Sequence, residues 1–380
     1  MARIAVNTRL LLEDKMEGIG WFTYETLKRI TQAHPEHEFI FIFDRPYSEK
    51  FIFGKNVKPV VLFPPARHPF LYLIFFEWVV SAYLYFKKVD LFVSTDGVIP
   101  LSSSVPALNV IHDINFEHRP KDLPFVHRWF YKKYFHRFAK KATHLATVSE
   151  YSKQDLINTY GIEASKIDVV YNGANEKYAP LDEEAQNHIR YKYANGRPYF
   201  LYVGSINPRK NIPNLLKAFD LFKKEVPSDY KLLLVGNPMQ NNSESSQVLL
   251  QMRHKQDVLF LGRVSTSELK GVLASAFAMV YVPFFEGFGI PILEAMYSDI
   301  PVITSNTTSM PEVAGKAAIT VNPNSAKEIK NAMVSLYSDK VLIKELIHKG
   351  RLQRKKFTWD LTAQKLWLAI EKVLNQKKAA

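Results

Sequence analysis

Short runs of β-branched and aromatic residues, separated by longer helix-compatible segments, constrain this chain more than any other feature. In the first half they read RIAVN from Arg3, EFIFIFD from Glu38, DLFVST from Asp90, ALNVIHD from Ala107, HLATVS from His144 and IDVVYN from Ile167. Strands that alternate with helices build βαβ units, which predict a parallel sheet with both faces covered. After the polar stretch Ala179 to Arg197, APLDEEAQNHIRYKYANGR, the rhythm restarts with YFLYVG from Tyr199, KLLLVG from Lys231, DVLFLG from Asp257, FAMVYVP from Phe277 and IPVITS from Ile300. The fold class is therefore α/β. At 380 residues the chain exceeds what one core usually holds, so the restart is read as a second domain. The division expected is 1–178 and 179–356, followed by a terminal helix over 357–380. That last segment begins FTWD and has apolar residues at Leu361, Leu366, Leu368, Ile370 and Leu374, with Asp360 near the helix start.

Three second-half strands run straight into glycine, at Gly204, Gly236 and Gly262. Ligands in open α/β sheets bind at the carboxyl ends of strands, so those turns are where chemistry is sought. The first, GSINPRKN, sets Arg209 and Lys210 before a helix, where backbone N–H groups already favour an anion. A diphosphate fits such a turn, and so does water around a basic loop. The spacing GxxxxGK[ST] is missing, which removes a P-loop.

The stretch YVPFFEGFGIPILEAM, Tyr281 to Met296, reads as a strand, a turn and a helix with Pro291 in its first turn. Glu286 precedes the helix and Glu294 lies about one turn in. Gly287, Phe288 and Gly289 offer amides between them, and a carboxylate such as Glu294 suits a vicinal diol. The same spacing also fits a capped helix with a solvated glutamate.

In the first half, His112 follows the strand ALNVI, where an imidazole could orient or polarise a hydroxyl or serve only in packing. Gly18 and Gly20 in MEGIGWF are read as a loop between strand and helix with room for a phosphate or hydroxyl. The absent third glycine counts against a nicotinamide enzyme. No metal-ligand spacing occurs, and with no cysteine there are no disulfides or thiolate sites.

With 50 Lys plus Arg against 37 Asp plus Glu, the formal charge of +13 draws the chain toward an anionic partner. FVHRWFYKKYFHRFAKKATHL, from Phe125, interleaves aromatics with cations. It suits an anionic membrane, a nucleic acid, or a domain helix with its aromatic face inward. The amino terminus shows no secretory pattern, so a cytoplasmic location is expected. PFLYLIFFEWVVSAYLYFKK, Pro69 to Lys88, approaches membrane-spanning length, but Glu77 at its centre favours a buried or interfacial helix.

In series, GIG, VIHD, TVSEYSKQDL, VVYNG, YVGSINPRKN, FLGRVSTSEL, FFEGFGIPILEAMYSDIPVITS, MPEVAGKAA and the final FTWD resemble the retaining glycosyltransferases of family 4. The resemblance implies the GT-B architecture, two Rossmann-like domains facing a central cleft, with the terminal helix packing back on the first. It implies metal-independent hexosyl transfer, with no cofactor, from a GDP- or UDP-sugar to a glycan or lipid-linked acceptor in surface polysaccharide synthesis, with mannose as the sugar. Arg209 and Lys210 would then hold the diphosphate and Glu294 the ribose. Glu286 and the Gly287 to Gly289 amides would contact the sugar, with Ile290 near the phosphates. Gly204 would let the backbone approach, and Gly262, Arg263 and Val264 would lie beside the base. His112 would face the sugar from the first domain, and Gly18 to Gly20 would lie near phosphates and acceptor. The family often has a Gly-Gly pair where this chain has Gly-Ile-Gly. The basic, aromatic first domain suggests a peripheral contact with the anionic inner leaflet, and the lack of a dedicated aromatic-basic sheet motif leads to the expectation of no nucleic-acid partner. An epimerase or phosphorylase on the same architecture, or a non-catalytic sugar-nucleotide sensor, are the competing readings.

Overall fold

The computed structural model describes residues 1–13, 16–175, 177–237 and 243–379. They form two compact units, Met1–Gly173 with Thr358–Ala380, and Ala174–Phe357. The chain thus changes unit ahead of the polar stretch expected to hold the boundary. Much of that stretch is instead the helix Glu183–Ala194, capped by the Asp182 carboxylate.

In the first unit β1 (Arg3–Asn7), β2 (Glu38–Phe43), β3 (Val57–Val61), β4 (Leu91–Ser94), β5 (Ala107–Val110), β6 (His144–Thr147) and β7 (Ile167–Val169) form one sheet. Its order is β3-β2-β1-β4-β5-β6-β7 and every pairing is parallel. In the second unit β8 (Tyr199–Val203), β9 (Lys231–Val235), β10 (Val258–Gly262), β11 (Ala278–Tyr281), β12 (Val302–Ser305) and β13 (Ala318–Val321) lie in the order β10-β9-β8-β11-β12-β13, again all parallel. Burial runs along consecutive residues of the central strands, so both faces are covered as a parallel sheet requires. Chain order reverses between β1 and β4, and between β8 and β11, which opens a crevice at the strand ends there.

Two strands fall outside the runs picked out in sequence, and both are edge strands. β3 contains Pro59, which supplies no ladder N–H and is tolerated where only one neighbour pairs. β13 is four residues long and only partly buried.

The glycines that end β8 and β9 meet one another. Gly236 has φ +154°, and a Cβ there would sit 1.9 Å from the Gly204 carbonyl oxygen, so no other residue fits without moving the strand end. Gly204 N–H in turn donates to the Val235 carbonyl at 2.9 Å.

The terminal helix Trp359–Ala379 belongs to the first unit. Its buried stripe is Trp359, Ala363, Leu366, Ile370 and Val373, whereas Leu361 and Leu368 are exposed. Trp359 meets Phe22 edge to face, Trp367 stacks on His34 at 3.6 Å, and Arg29 pairs with Asp360 at 2.5 Å. The Thr358 hydroxyl accepts the Leu361 amide and caps the helix, leaving Asp360 to the ion pair. Leu366→Ala should therefore destabilise the protein by about 3 kcal/mol in a denaturant titration, through a cavity between this helix and the first sheet. Leu368→Ala, on the exposed face, should change it by less than about 0.5 kcal/mol.

Candidate functional site

The reversal between β8 and β11 brings together the residues singled out in the second half. Beyond Gly204 the chain passes through the 3-10 turn Pro208–Lys210 and enters the helix Ile212–Glu225. Asn211 makes that entry possible: its φ of 62° is left-handed, a conformation asparagine tolerates better than most. Its buried side-chain amide donates to the carbonyls of Val282 at 2.9 Å and Pro323 at 2.7 Å, tying together the segments after β8, β11 and β13. The Phe284 amide donates to the Arg209 carbonyl at 2.8 Å.

That scaffold converges on three charges. The Arg209 guanidinium and the Lys210 ammonium both bond one oxygen of Glu286. Arg209 also donates to the Phe285 carbonyl at 3.2 Å, and Lys210 to the Tyr281 hydroxyl at 2.6 Å. Lys210 and Glu286 are buried, and each charge offsets part of the cost of taking the other out of water. Tyr281, beneath them, is held well above its ordinary range by burial and then by the Glu286 charge, so it stays a neutral phenol.

Glu286 to Gly289 is a tight, buried turn. The Ser309 hydroxyl donates to the Glu286 carbonyl at 2.9 Å. Gly289 has φ +95° and is the residue from which the helix Ile290–Tyr297 starts, a place a branched side chain would resist. Phe288 turns inward and meets Phe357 at 5.6 Å, so only its backbone can meet a ligand. Ile290 is half-buried.

Glu294 lies within that helix, and its carboxylate takes a hydrogen bond from the Tyr178 hydroxyl. Loss of hydration pushes it up to about 7, with the Tyr178 bond opposing the rise. Gly262 ends β10 with φ +66° and nothing within 4 Å of a Cβ position, followed by exposed Arg263 and half-buried Val264.

In the first unit, His112 stands beyond β5 next to the reversal between β1 and β4. Its Nε2 lies 2.9 Å from the Thr95 carbonyl, which can only accept, so Nε2 carries the proton and Nδ1 is the acceptor. Burial lowers its pKa, which keeps the ring neutral at pH 7. Phe22 packs edge-on at 4.9 Å and orients it. Beside it Arg9 and Asp96 form a buried pair at 2.5 Å, and Asn7 donates to Asp96 at 2.9 Å.

Gly18 and Gly20 differ from their sequence reading. They are the first turn of the helix Gly18–Ala33 and not a loop, and a Cβ on Gly20 would lie 2.9 Å from the Leu10 carbonyl. Gly20 lets the preceding segment pack closely; at Gly18 the Cβ position is open.

Tyr178, Tyr281 and Asn211 were not singled out in sequence. Asn211 had a signal, an asparagine directly before Ile-Pro at a helix start. The two tyrosines had none, because their partners lie far along the chain. Among the described residues no three His, Cys, Asp or Glu side chains group as a metal site.

Residues 16–178 match the family model described as Glycosyltransferase Family 4, and residues 183–353 the one described as Glycosyl transferases group 1. O-antigen chain mannosyltransferase B of Escherichia coli is 31% identical over 255 residues, covering 67% of each chain. O-antigen chain mannosyltransferase RfbU of Salmonella typhimurium is 31% identical over 270 residues, covering 70% of this chain and 71% of its own. The crystal structure of Anabaena Alr3699/HepE in complex with UDP and glucose matches 98% of this chain and 100% of its own, with a TM-score of 0.76 at 15% identity, a likeness of fold.

The environment of Glu294 makes a prediction about stability. Below its ordinary value of 4.5 the carboxyl is protonated whether folded or not, and contributes nothing. Between 4.5 and about 7 the unfolded chain has lost the proton and the folded chain keeps it, so stability falls as pH rises; above about 7 the cost is complete. Glu294→Gln should therefore match the parent near pH 4.5 and be more stable near pH 8, by up to about 3 kcal/mol in denaturant titrations. An offset equal at both pH values would contradict this.

Proposed function

The chain belongs to the group 1, family 4 glycosyltransferases, and we propose that it moves mannose, with retention and without a metal ion, from a nucleoside-diphosphate mannose to a glycan acceptor. The carrying observation is the Arg209–Glu286–Lys210 cluster at the carboxyl end of β8, joined to the turn that starts the Glu294 helix. Mannose is supported by the names of two relatives at 31% identity, and GDP is proposed as the carrier for that sugar.

Each group has a task in that reading. Arg209, Lys210 and the Gly287 to Gly289 amides at a helix amino terminus oppose the charge that grows on the leaving diphosphate. Glu294, once ionised, accepts from both ribose hydroxyls. Glu286, tied to two cations, is a weak nucleophile, so it orients the sugar's hydroxyls and leaves C1 to the acceptor. The neutral His112 presents Nδ1 as an acceptor for a sugar hydroxyl.

Retention then follows from attack on the leaving group's own face. The bond from C1 to the phosphate oxygen breaks, the acceptor oxygen bonds to C1, and the acceptor's proton passes to the departing phosphate oxygen. The acceptor class proposed is a lipid-linked or growing surface glycan, in line with the O-antigen roles named for the relatives.

A thermal-shift screen of nucleotide sugars followed by product analysis by NMR tests the reading. GDP-mannose should give the largest shift and an α-linked product, unaffected by EDTA. Arg209→Ala should lower kcat by about 100-fold or more, the scale for removing one group that stabilises transition-state charge. Glu294→Ala should chiefly raise the donor KM. Arg209→Ala with parental kcat, a β-linked product, or loss of rate in EDTA would overturn the corresponding part.

A further inference from the structure

The charged cluster of the second unit has a neutral member. Tyr281, the last residue of β11, accepts a hydrogen bond from the Lys210 ammonium at 2.6 Å, and that ammonium lies 5.1 Å from the centre of its ring. Glu286 supplies the same nitrogen with a counter-charge. An ammonium is a point charge on a flexible stem, and its hydrogens point wherever acceptors stand. Its place is therefore set by the acceptors around it, and Tyr281 is one whose own place is fixed.

Three adjacent strands fix it. The Tyr281 carbonyl accepts the Thr304 hydroxyl of β12 at 2.7 Å. Its ring is buried and stacks on buried Tyr202 of β8, with centroids 6.0 Å apart and planes 19° from parallel. Tyr202 is anchored in turn, its hydroxyl donating to the Ser205 carbonyl at 2.9 Å. The Tyr281 oxygen thus stands at a defined point beyond the strand, whereas Glu286 belongs to a turn.

A phenol suits this place chemically. Phenylalanine would stack as well, but it offers no acceptor. A carboxylate would accept, but it would set a second negative charge beside the one that Glu286 brings. Burial, and then the Glu286 charge, hold the Tyr281 hydroxyl well above its ordinary range, so it accepts from Lys210 and adds no charge of its own.

We propose that Tyr281 is a positioning residue for donor recognition: its hydroxyl holds the Lys210 ammonium where that ammonium meets the diphosphate, an assignment that rests on the diphosphate reading of the Arg209–Lys210 turn. Tyr281 itself touches no substrate in this account and acts through Lys210.

Calorimetric titration of the whole chain with GDP and with GMP tests this, because the two ligands differ only in the β-phosphate. Tyr281→Phe keeps the ring and its stack. It should lower the preference for GDP over GMP by about threefold or more, the scale of one hydrogen bond, and leave GMP affinity near the parent's. Tyr202→Phe removes a phenol oxygen whose bond goes to Ser205, so it should change both affinities alike or neither. In a Lys210→Ala background Tyr281→Phe should have no further effect on the preference, because the two residues act through one nitrogen. Loss of the preference in Lys210→Ala but not in Tyr281→Phe would overturn the assignment and leave the diphosphate reading standing. A full preference kept by Lys210→Ala would remove Lys210 from the diphosphate, and the assignment with it. Equal loss of GDP and GMP affinity in Tyr281→Phe, or a further loss of preference in the Lys210→Ala background, would show a phenol that serves packing or acts elsewhere, and would also overturn it.

Discussion

The bond of Arg209 and Lys210 to a single oxygen of Glu286 is the interaction on which the second unit's site depends. Two cations of one short turn could not be held side by side, with Lys210 buried, unless a carboxylate stood between them. Sheet topology supplies that carboxylate: β8 and β11 are neighbours although 74 residues lie between their ends at Val203 and Ala278, so the turn after one reaches the turn after the other. Asn211 and the Phe284 amide then lock the two turns together through backbone carbonyls.

The same arrangement explains why two glutamates eight residues apart have different characters. Glu286 is compensated by two cations, whereas Glu294 has one hydroxyl for a partner and is pushed up to about 7. Their chemistry is set by what other strands bring to them, and their spacing along the chain records only a turn and the start of a helix. The first unit repeats the topology with a different content. At its reversal between β1 and β4 stand a compensated Arg9–Asp96 pair and a neutral histidine held by one carbonyl.

Much of this was legible in the sequence because buried parallel strands announce themselves as continuous apolar runs, and their carboxyl ends mark where ligand chemistry collects. The runs at Tyr199, Lys231, Asp257, Phe277 and Ile300 are all strands, and Arg209, Lys210 and Glu286 share one cluster. Edge strands were harder: Pro59 argues locally against a strand, and only the one-sided pairing of β3 makes it tolerable. Gly18 and Gly20 read as an open loop because a glycine pair looks alike whether it admits a ligand or, as Gly20 does, a neighbouring carbonyl. In the terminal helix the apolar residues alone did not show which face is buried: Leu361 and Leu368 are exposed, and the buried stripe runs through Trp359, Ala363 and Val373. Tyr178 and Tyr281 were invisible because a hydrogen bond between distant segments leaves no local pattern.

The central claim is that the Arg209–Lys210 turn recognises the diphosphate of a nucleotide sugar. Calorimetric titration with GDP and with GMP isolates that interaction, because the two ligands differ only in the β-phosphate. The parent protein should bind GDP more tightly than GMP by about tenfold or more, the scale of one charge-assisted contact. In Arg209→Ala with Lys210→Ala that preference should vanish while GMP affinity is largely kept. A double variant that still distinguishes the two ligands as the parent does would place the diphosphate elsewhere and contradict the account.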